Sequence, residues 1–324
     1  MILVTNNEGT PGVGVTADLL RQGSNAIDAI EGGIRLVEAS ESVRTVGRGG
    51  WPNLLGEVEL DAAMMDGDTL KTGAIGGLKG YMHPVSIARE VMQKLPHEFL
   101  VGEGAARFAA EIGAETGELL MPHSIEAWKR WYAAEVSESD KANWPNVPLA
   151  PYCRSAIDPE IGRDTTVFLA KDSFGKIAVG TSTSGWGWKY PGRLGDSPVV
   201  GAGFYADTRF GACACTGAGE MSIRLSTARS VVLYMKMGMS IADAVYEAAN
   251  DMEHLRGGLI SRVTIHAIDK DGRFKVVAVN GSAENSYWLW EGRESAPTSH
   301  QAEVITLRNW QNKKTATNRY TQGV

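Results

Sequence analysis

Three times along this chain two apolar, alternating runs meet across a short turn. They are EVELDAAMMDGDTLKTGAIGGL around Asp66-Gly67, TTVFLAKDSFGKIAVGTSTSG at Ser173–Gly175, and RVTIHAIDKDGRFKVVAVN around Asp271-Gly272. Turns this short can join only antiparallel neighbours, because parallel strands need a crossover of a dozen or more residues. The chain is therefore committed to largely antiparallel sheets, and ILVTN, GACACTG and YWLWEG add further strands, the last as an edge strand.

Between the strands the period changes to that of helices. GVTADLLRQGSNAIDAIEGGIRLVEAS reads as two helical pieces broken at Gly23, with Ser24 or Asn25 capping the second. Helices are expected from Pro84 to Leu95, Glu98 to Ile112 and Ser124 to Ala134, and in GEMSIRLSTARSVVLYMKMG and SIADAVYEAANDMEH. TVGRGGWPN is a glycine-rich loop. From Ser137 to Gly162 the chain is rich in Pro, Asn, Ser and Asp and keeps no period, which reads as a mobile linker. Helices beside hairpins, without strict alternation, predict a layered α/β protein.

The 324 residues carry a formal net charge of -6, and neither that balance nor the mixed charge pattern offers the basic face that nucleic acid requires. No apolar stretch approaches the roughly 18 residues needed to cross a bilayer, so neither nucleic acid nor membrane is an expected partner. Three cysteines, Cys153, Cys213 and Cys215, describe no disulfide framework, and a reducing cytoplasm is the expected location.

The chemistry-bearing candidates separate quickly. Cys213 and Cys215 lie two apart on a strand and so share a face; with no second pair or histidine at ligand spacing, they read as a buried pair rather than a metal site. No histidine neighbours a nucleophile in sequence, so a histidine-based triad would have to be assembled by folding. GAGFYA loosely fits a dinucleotide fingerprint, but turn and strand follow it where a helix is required. The dense stretch is Thr165 to Glu220. It holds the hydroxyls Thr165, Thr183 and Thr216, with Arg193 between glycines and Asp196 three residues on. Arginine offers a planar fork for a carboxylate and aspartate can hold an ammonium, so with a nucleophile they suit an α-amino acid. Gly217 and Gly219 free backbone N–H groups at the start of the next helix, where developing negative charge is stabilised. A tight-turned loop with a surface salt bridge is the competing reading.

At these residues the chain resembles the glycosylasparaginase and plant-type asparaginase branch of the N-terminal nucleophile hydrolases. SVRTVGRGGWPN, PVSIAREVMQKLPHEFLVGEGAARFA, GRLGDSPVVGAG and CTGAGE match family segments in order over nearly the whole chain, closest to the glycosylasparaginase side. The resemblance implies a four-layer αββα sandwich forming one domain over residues 1–324. It also implies that the chain cuts its own Asp164–Thr165 bond into 1–164 and 165–324 subunits, which pair as a dimer of αβ units. By the same resemblance Thr165 is the nucleophile and its freed α-amino group the base, an arrangement that needs no histidine. Thr183 tunes that amine. Arg193 takes the substrate α-carboxylate and Asp196 its α-ammonium, with the Gly219 carbonyl assisting. Thr216 and Gly217 form the oxyanion hole, and no metal or organic cofactor takes part.

The implied reaction is hydrolysis of an N4-glycosylated asparagine to aspartate. Free asparagine or a β-aspartyl peptide is the alternative substrate, and an uncleaved ligand-binding protein the alternative of another class. The sequence departs from the family at Arg163, where histidine is common, and at Val167, where glycine is usual. Asn6 stands where glycosylasparaginases place a pocket tryptophan, a surface that Trp186 and Trp188 are the candidates to replace.

Overall fold

The computed structural model describes residues 1–154, 165–282 and 284–308. In chain order its strands are β1 Ile2–Asn6, β2 Leu60–Asp66, β3 Thr72–Leu78, β4 Phe99–Val101, β5 Thr166–Lys171, β6 Ile177–Thr183 and β7 Phe204–Asp207. They continue with β8 Gly211–Gly217, β9 Val263–Asp269, β10 Phe274–Val279, β11 Ser286–Trp290, β12 Thr298–Gln301 and β13 Glu303–Ile305. The helices are α1 Thr10–Arg21, α2 Ala26–Ala39, α3 Pro84–Lys94, α4 Gly102–Glu111, α5 Pro122–Glu135, α6 Glu138–Lys141, α7 Gly219–Leu225, α8 Thr227–Lys236 and α9 Ile241–Asp251.

The strands form two sheets, in the orders β12-β11-β1-β5-β6-β2-β3-β4 and β13-β10-β9-β8-β7. Pairing is antiparallel except for β3 with β4 and β10 with β13. All three hairpins form, the β2–β3 pair with a register shift between Leu60 and Ala62. Because side chains alternate across a strand, the buried central strands feed two cores. From β5, Val167 and Leu169 meet Phe204, Ala212 and Ala214 between the sheets. Phe168 and Ala170 point the other way, onto Ala17, Ile30 and Ile34 of α1 and α2 and Val91 of α3. The second sheet repeats this, with Cys213, Cys215 and Ile265 packed on Val231, Val232 and Val245 of α8 and α9. The result is helix, sheet, sheet, helix: the four-layer αββα sandwich. The two cysteines are buried on one shared face, as their spacing requires.

Several local expectations are corrected. Phe99–Val101 is not the start of a helix but a short strand that pairs with Ala74–Gly76, and α4 begins only at Gly102. The helix after Gly219 is two helices, since Ser226 adopts the left-handed conformation (φ +51°) between them. YWLWEG is not an edge strand, because β11 pairs with both β1 and β12; the polar TSHQ of β12 gives no apolar signal. The 137–154 stretch carries α6, capped by Ser137, and its Trp144 packs edge-on against Trp131 and Tyr152 at 6.5 and 5.7 Å. Aromatic contacts therefore anchor the part expected to be a mobile linker. Asn25, of the two candidate caps, accepts the Asp28 N–H at 2.8 Å. No helix among the described residues is long and apolar enough to cross a membrane.

Candidate active site

Thr165 immediately precedes β5, a central strand of the larger sheet rather than an edge strand. Thr166 pairs with Ser182, which sets Thr165 alongside Thr183, and Thr183 in turn lies opposite Asp61 of β2. Thr165 shares the parity of Val167 and Leu169, Thr183 that of Ile177 and Val179, and Thr216 that of Ala212 and Ala214. Period-two geometry thus directs the three threonines into the layer between the sheets. Thr166 faces the helices with Phe168 and is fully buried.

Thr165 is buried, and its Oγ1 lies 3.0 Å from the Ser197 Oγ. Asn6 acts as a splint on the same segment. Its Nδ2 donates to the Thr165 carbonyl at 2.6 Å, and its Oδ1 accepts the Val167 N–H at 3.1 Å. The side-chain amide thereby reproduces one more rung of the β1–β5 ladder beyond its last backbone pair. Asn6 is buried, and both ends of its amide are engaged on this segment.

Thr183 is fixed by the glycine-rich loop. Its hydroxyl donates to the Thr45 carbonyl at 3.2 Å and accepts the Gly185 N–H at 2.9 Å, while Ser184 N–H reaches the same Thr45 carbonyl at 2.8 Å. That loop folds back on α2 at Gly47 (φ +58°), where a Cβ would lie 2.1 Å from the Glu38 carbonyl. Glu38 itself is buried, and its Oε1 accepts the Ser182 hydroxyl at 2.7 Å and the Val85 N–H at 3.0 Å. Burial pushes its carboxyl above the usual carboxylate range.

Arg193 projects from the loop after β6. Its Nε and Nη2 donate to the Glu220 Oε1 at 3.1 and 2.8 Å, and its guanidinium stacks 4.2 Å from the centre of the Trp186 ring. Both Arg193 and Glu220 are partly buried, so the pair is shielded from solvent more than a surface bridge. Asp196 is buried, and its Oδ2 has no hydrogen-bond partner among the described residues. Burial pushes its carboxyl up to about 7, against the pull of Arg193 and of the nearby Ser222 hydroxyl, with Glu220 adding to the rise. Gly219 leaves the room this carboxyl occupies: a Cβ there would lie 2.6 Å from Asp196 Oδ1 and 2.7 Å from its backbone nitrogen. Gly217, at φ +104°, turns the chain from β8 toward α7, where a Cβ would lie 2.5 Å from the Arg262 carbonyl.

These contacts tie the residues together. Thr165 touches Ser197, Ser197 follows Asp196, Asp196 lies against Gly219, and Glu220 holds Arg193. Asp164 and Arg163 lie outside the described residues. Trp188 belongs to the aromatic core, stacked on Trp131 at 5.6 Å, whereas half-buried Trp186 carries Arg193. Sequence reasoning missed Ser197, Glu220 and the splint at Asn6. An asparagine ending a strand signals a turn or cap before it signals a rung, and the other two contacts come only with folding. His266 is buried in β9, and burial pushes it down to about 4. Among the described residues no group of three or more His, Cys, Asp or Glu is arranged to hold a metal ion.

A buried threonine hydroxyl, a buried carboxyl with an open oxygen and a held guanidinium therefore stand along one linked stretch of the fold. Residues 12–298 match the family described as Asparaginase. The isoaspartyl peptidase of Salmonella typhimurium is 36% identical over 287 residues, 87% of this chain and 85% of that protein. The plant-type L-asparaginase of Thermococcus kodakarensis is 36% identical over 232 residues, 71% of this chain and 72% of its own. The N(4)-(beta-N-acetylglucosaminyl)-L-asparaginase of Elizabethkingia miricola is 36% identical over 230 residues, 71% of this chain, and the match spans 62% of that protein's length. With the family match running through nearly the whole length of the fold, this chain belongs to the asparaginase family.

Proposed function

We propose that this chain is a self-activating threonine amidohydrolase, which hydrolyses the side-chain amide of an asparagine derivative and releases L-aspartate. Activation begins when the Thr165 hydroxyl adds to the carbonyl carbon of Asp164. The peptide nitrogen leaves as the α-amine of Thr165, and water hydrolyses the resulting ester. An α-amine ordinarily titrates at about 7.7–8.0, which suits a general base at neutral pH. It takes the proton of the Thr165 hydroxyl as that oxygen attacks the substrate amide, and returns it to the departing nitrogen. Thr183 tunes the amine, and Thr216 with Gly217 stabilises the oxyanion. Arg193 binds the α-carboxylate, while Asp196, helped by the Gly219 carbonyl, binds the α-ammonium. Water then hydrolyses the β-aspartyl ester on Thr165.

The observation that carries this reading is buried Thr165, its hydroxyl 3.0 Å from that of Ser197, the residue that follows Asp196 with its open carboxyl oxygen, together with an Arg193 held by Glu220. An N4-glycosylated asparagine is the first substrate reading. A second, free asparagine or a β-aspartyl peptide, is favoured by the commitment of Asn6 to strand β5.

Denaturing electrophoresis tests activation. Two fragments of nearly equal size should replace the 34.8 kDa chain, and the smaller should begin at Thr165. Thr165→Ala should give one band and no turnover; turnover surviving that change would refute the nucleophile. One band from the unaltered chain after long incubation would favour a non-catalytic ligand-binding protein. Release of ammonia, of a glycosylamine or of an amino acid from the three substrates identifies the leaving group.

A further inference from the structure

Beneath the Arg193 loop lies a lysine that the proposed reaction does not use. Lys189 is fully buried, a rare state for an ammonium. Its Nζ donates to the Glu59 carbonyl at 3.1 Å and lies 3.9 Å from the Glu59 Oε2. Burial pulls the lysine down from its ordinary range, Asp61 and Glu59 push it back, and Arg193 opposes them.

The two carboxylates do more than neutralise Lys189. Glu59 accepts the Gly192 N–H with both oxygens, at 3.0 and 3.2 Å, and Asp61 Oδ2 lies 3.5 Å from the Gly195 N–H. Gly192 and Gly195 bracket Arg193 and lead into Asp196. The other Asp61 oxygen is held by the Gly77 N–H at 2.9 Å. Lys189 and Arg193 also both approach Gly185, where a Cβ would lie 3.1 Å from Lys189 Nζ and 3.4 Å from Arg193 Nη1. A larger residue at 185 would push the two cations from their places.

We propose that Lys189 is a positioning residue for the substrate-binding loop: its buried ammonium offsets the Glu59 and Asp61 carboxylates, and these carboxylates clamp the backbone on either side of Arg193. Without the lysine, two buried carboxylates lose their counter-charge, and their mutual repulsion loosens the loop they hold. The substrate class follows from the residue so placed: an amide whose carbon skeleton carries an α-carboxylate. This inference rests on the proposed amidohydrolase reading.

The test compares L-asparagine with 3-aminopropanamide, the same side-chain amide without the α-carboxylate, in the self-cleaved enzyme. In Lys189→Met the KM for asparagine should rise about tenfold or more with kcat changed about threefold or less, the pattern of lost binding rather than lost chemistry. The kcat/KM for 3-aminopropanamide should stay near that of the unaltered enzyme. In Glu59→Gln/Lys189→Met, with one acid removed together with the base, the KM for asparagine should move back toward that of the unaltered enzyme. Equal losses on both substrates, or a double variant no better than the single, would overturn the assignment. Should Lys189→Met not fold, Glu59→Gln and the double variant carry the comparison, the double being expected to bind asparagine at least as well as Glu59→Gln. An unaltered enzyme active on asparagine, with a substrate-independent loss in the variants, overturns this inference alone. No turnover of any α-amino-acid amide by the unaltered enzyme overturns the underlying reading as well.

Discussion

The proposed ammonium site at Asp196 would make substrate binding a function of pH, with a sign that can be worked out in advance. Its carboxyl is held up to about 7 chiefly by burial, and one oxygen has no partner among the described residues. An α-ammonium gains from Asp196 only when the carboxyl is ionised. At pH 6 about one tenth of the molecules are in that state and at pH 8 about nine tenths, so the apparent dissociation constant tightens about tenfold across the range. Calorimetric titration with L-aspartate, the product of the proposed reaction, measures this. Succinate, which lacks the ammonium, serves as the control for every other group that titrates nearby. The ratio of the two affinities should rise about tenfold from pH 6 to pH 8 in favour of L-aspartate, and Asp196→Asn should flatten it. A ratio that is flat or falling in the unaltered protein refutes the ammonium assignment.

The same group leaves a mark on stability, in the opposite direction. In the unfolded chain an aspartate is ionised above about pH 4, whereas Asp196 in the folded protein keeps its proton until about pH 7. Folding therefore takes up a proton in that window. The stability contributed by this group is fully present below the unfolded value and is lost as pH rises toward 7, at up to about 1.4 kcal/mol per pH unit. Bound L-aspartate should reduce that loss, because the ammonium compensates the ionised carboxyl.

Asn6→Ala should cost roughly 2–5 kcal/mol in denaturant unfolding, because it strands a buried carbonyl and a buried N–H that the amide now satisfies; a loss under about 1 kcal/mol would show that water or a shifted strand replaces the splint. Gly219→Ala forces a methyl against the Asp196 carboxyl and backbone, and should cost about 1–3 kcal/mol and weaken L-aspartate more than succinate; equal effects on both ligands, read by calorimetry, would place the clash elsewhere.

What could be read from the chain, and what could not, divides along the range of the interactions involved. The hairpins and α1 to α3 announce themselves because their patterns are local and their turns carry the needed glycines and caps. The shared facing of Thr165, Thr183 and Thr216 follows from strand parity once the strands are known. Phe99–Val101 could not be read as strand, since what makes it one is pairing with β3 some 25 residues earlier. The break at Ser226 lies in the backbone of a residue that ordinarily avoids left-handed space. Ser197 reaches Thr165 because Thr181 donates to the Ser197 carbonyl at 2.7 Å and steadies that loop under β6. Lys189 looks like any loop lysine until Glu59, 130 residues away, is seen beneath it.

The sheet order bears on what activation can change. Read across the larger sheet, β12 and β11 come from beyond Thr165, β1 from before it, β5 and β6 from beyond it, and β2, β3 and β4 from before it. β1 is hydrogen-bonded on one side to β11 and on the other to β5, and β6 is held between β5 and β2. A chain cut before Thr165 would thus keep two alternating sets of strands in a single sheet, with a shared core on both faces. The candidate site residues are interleaved in the same way: Asn6, Thr45, Glu59 and Asp61 come from before Thr165, and Thr183, Arg193, Asp196 and Gly219 from beyond it. Cutting the bond, as proposed, would free one amine while the strands around Thr165 stay paired. On that reading the backbone can open at the centre of the larger sheet without loss of the fold, and the fragments are to be resolved in denaturant rather than by native chromatography.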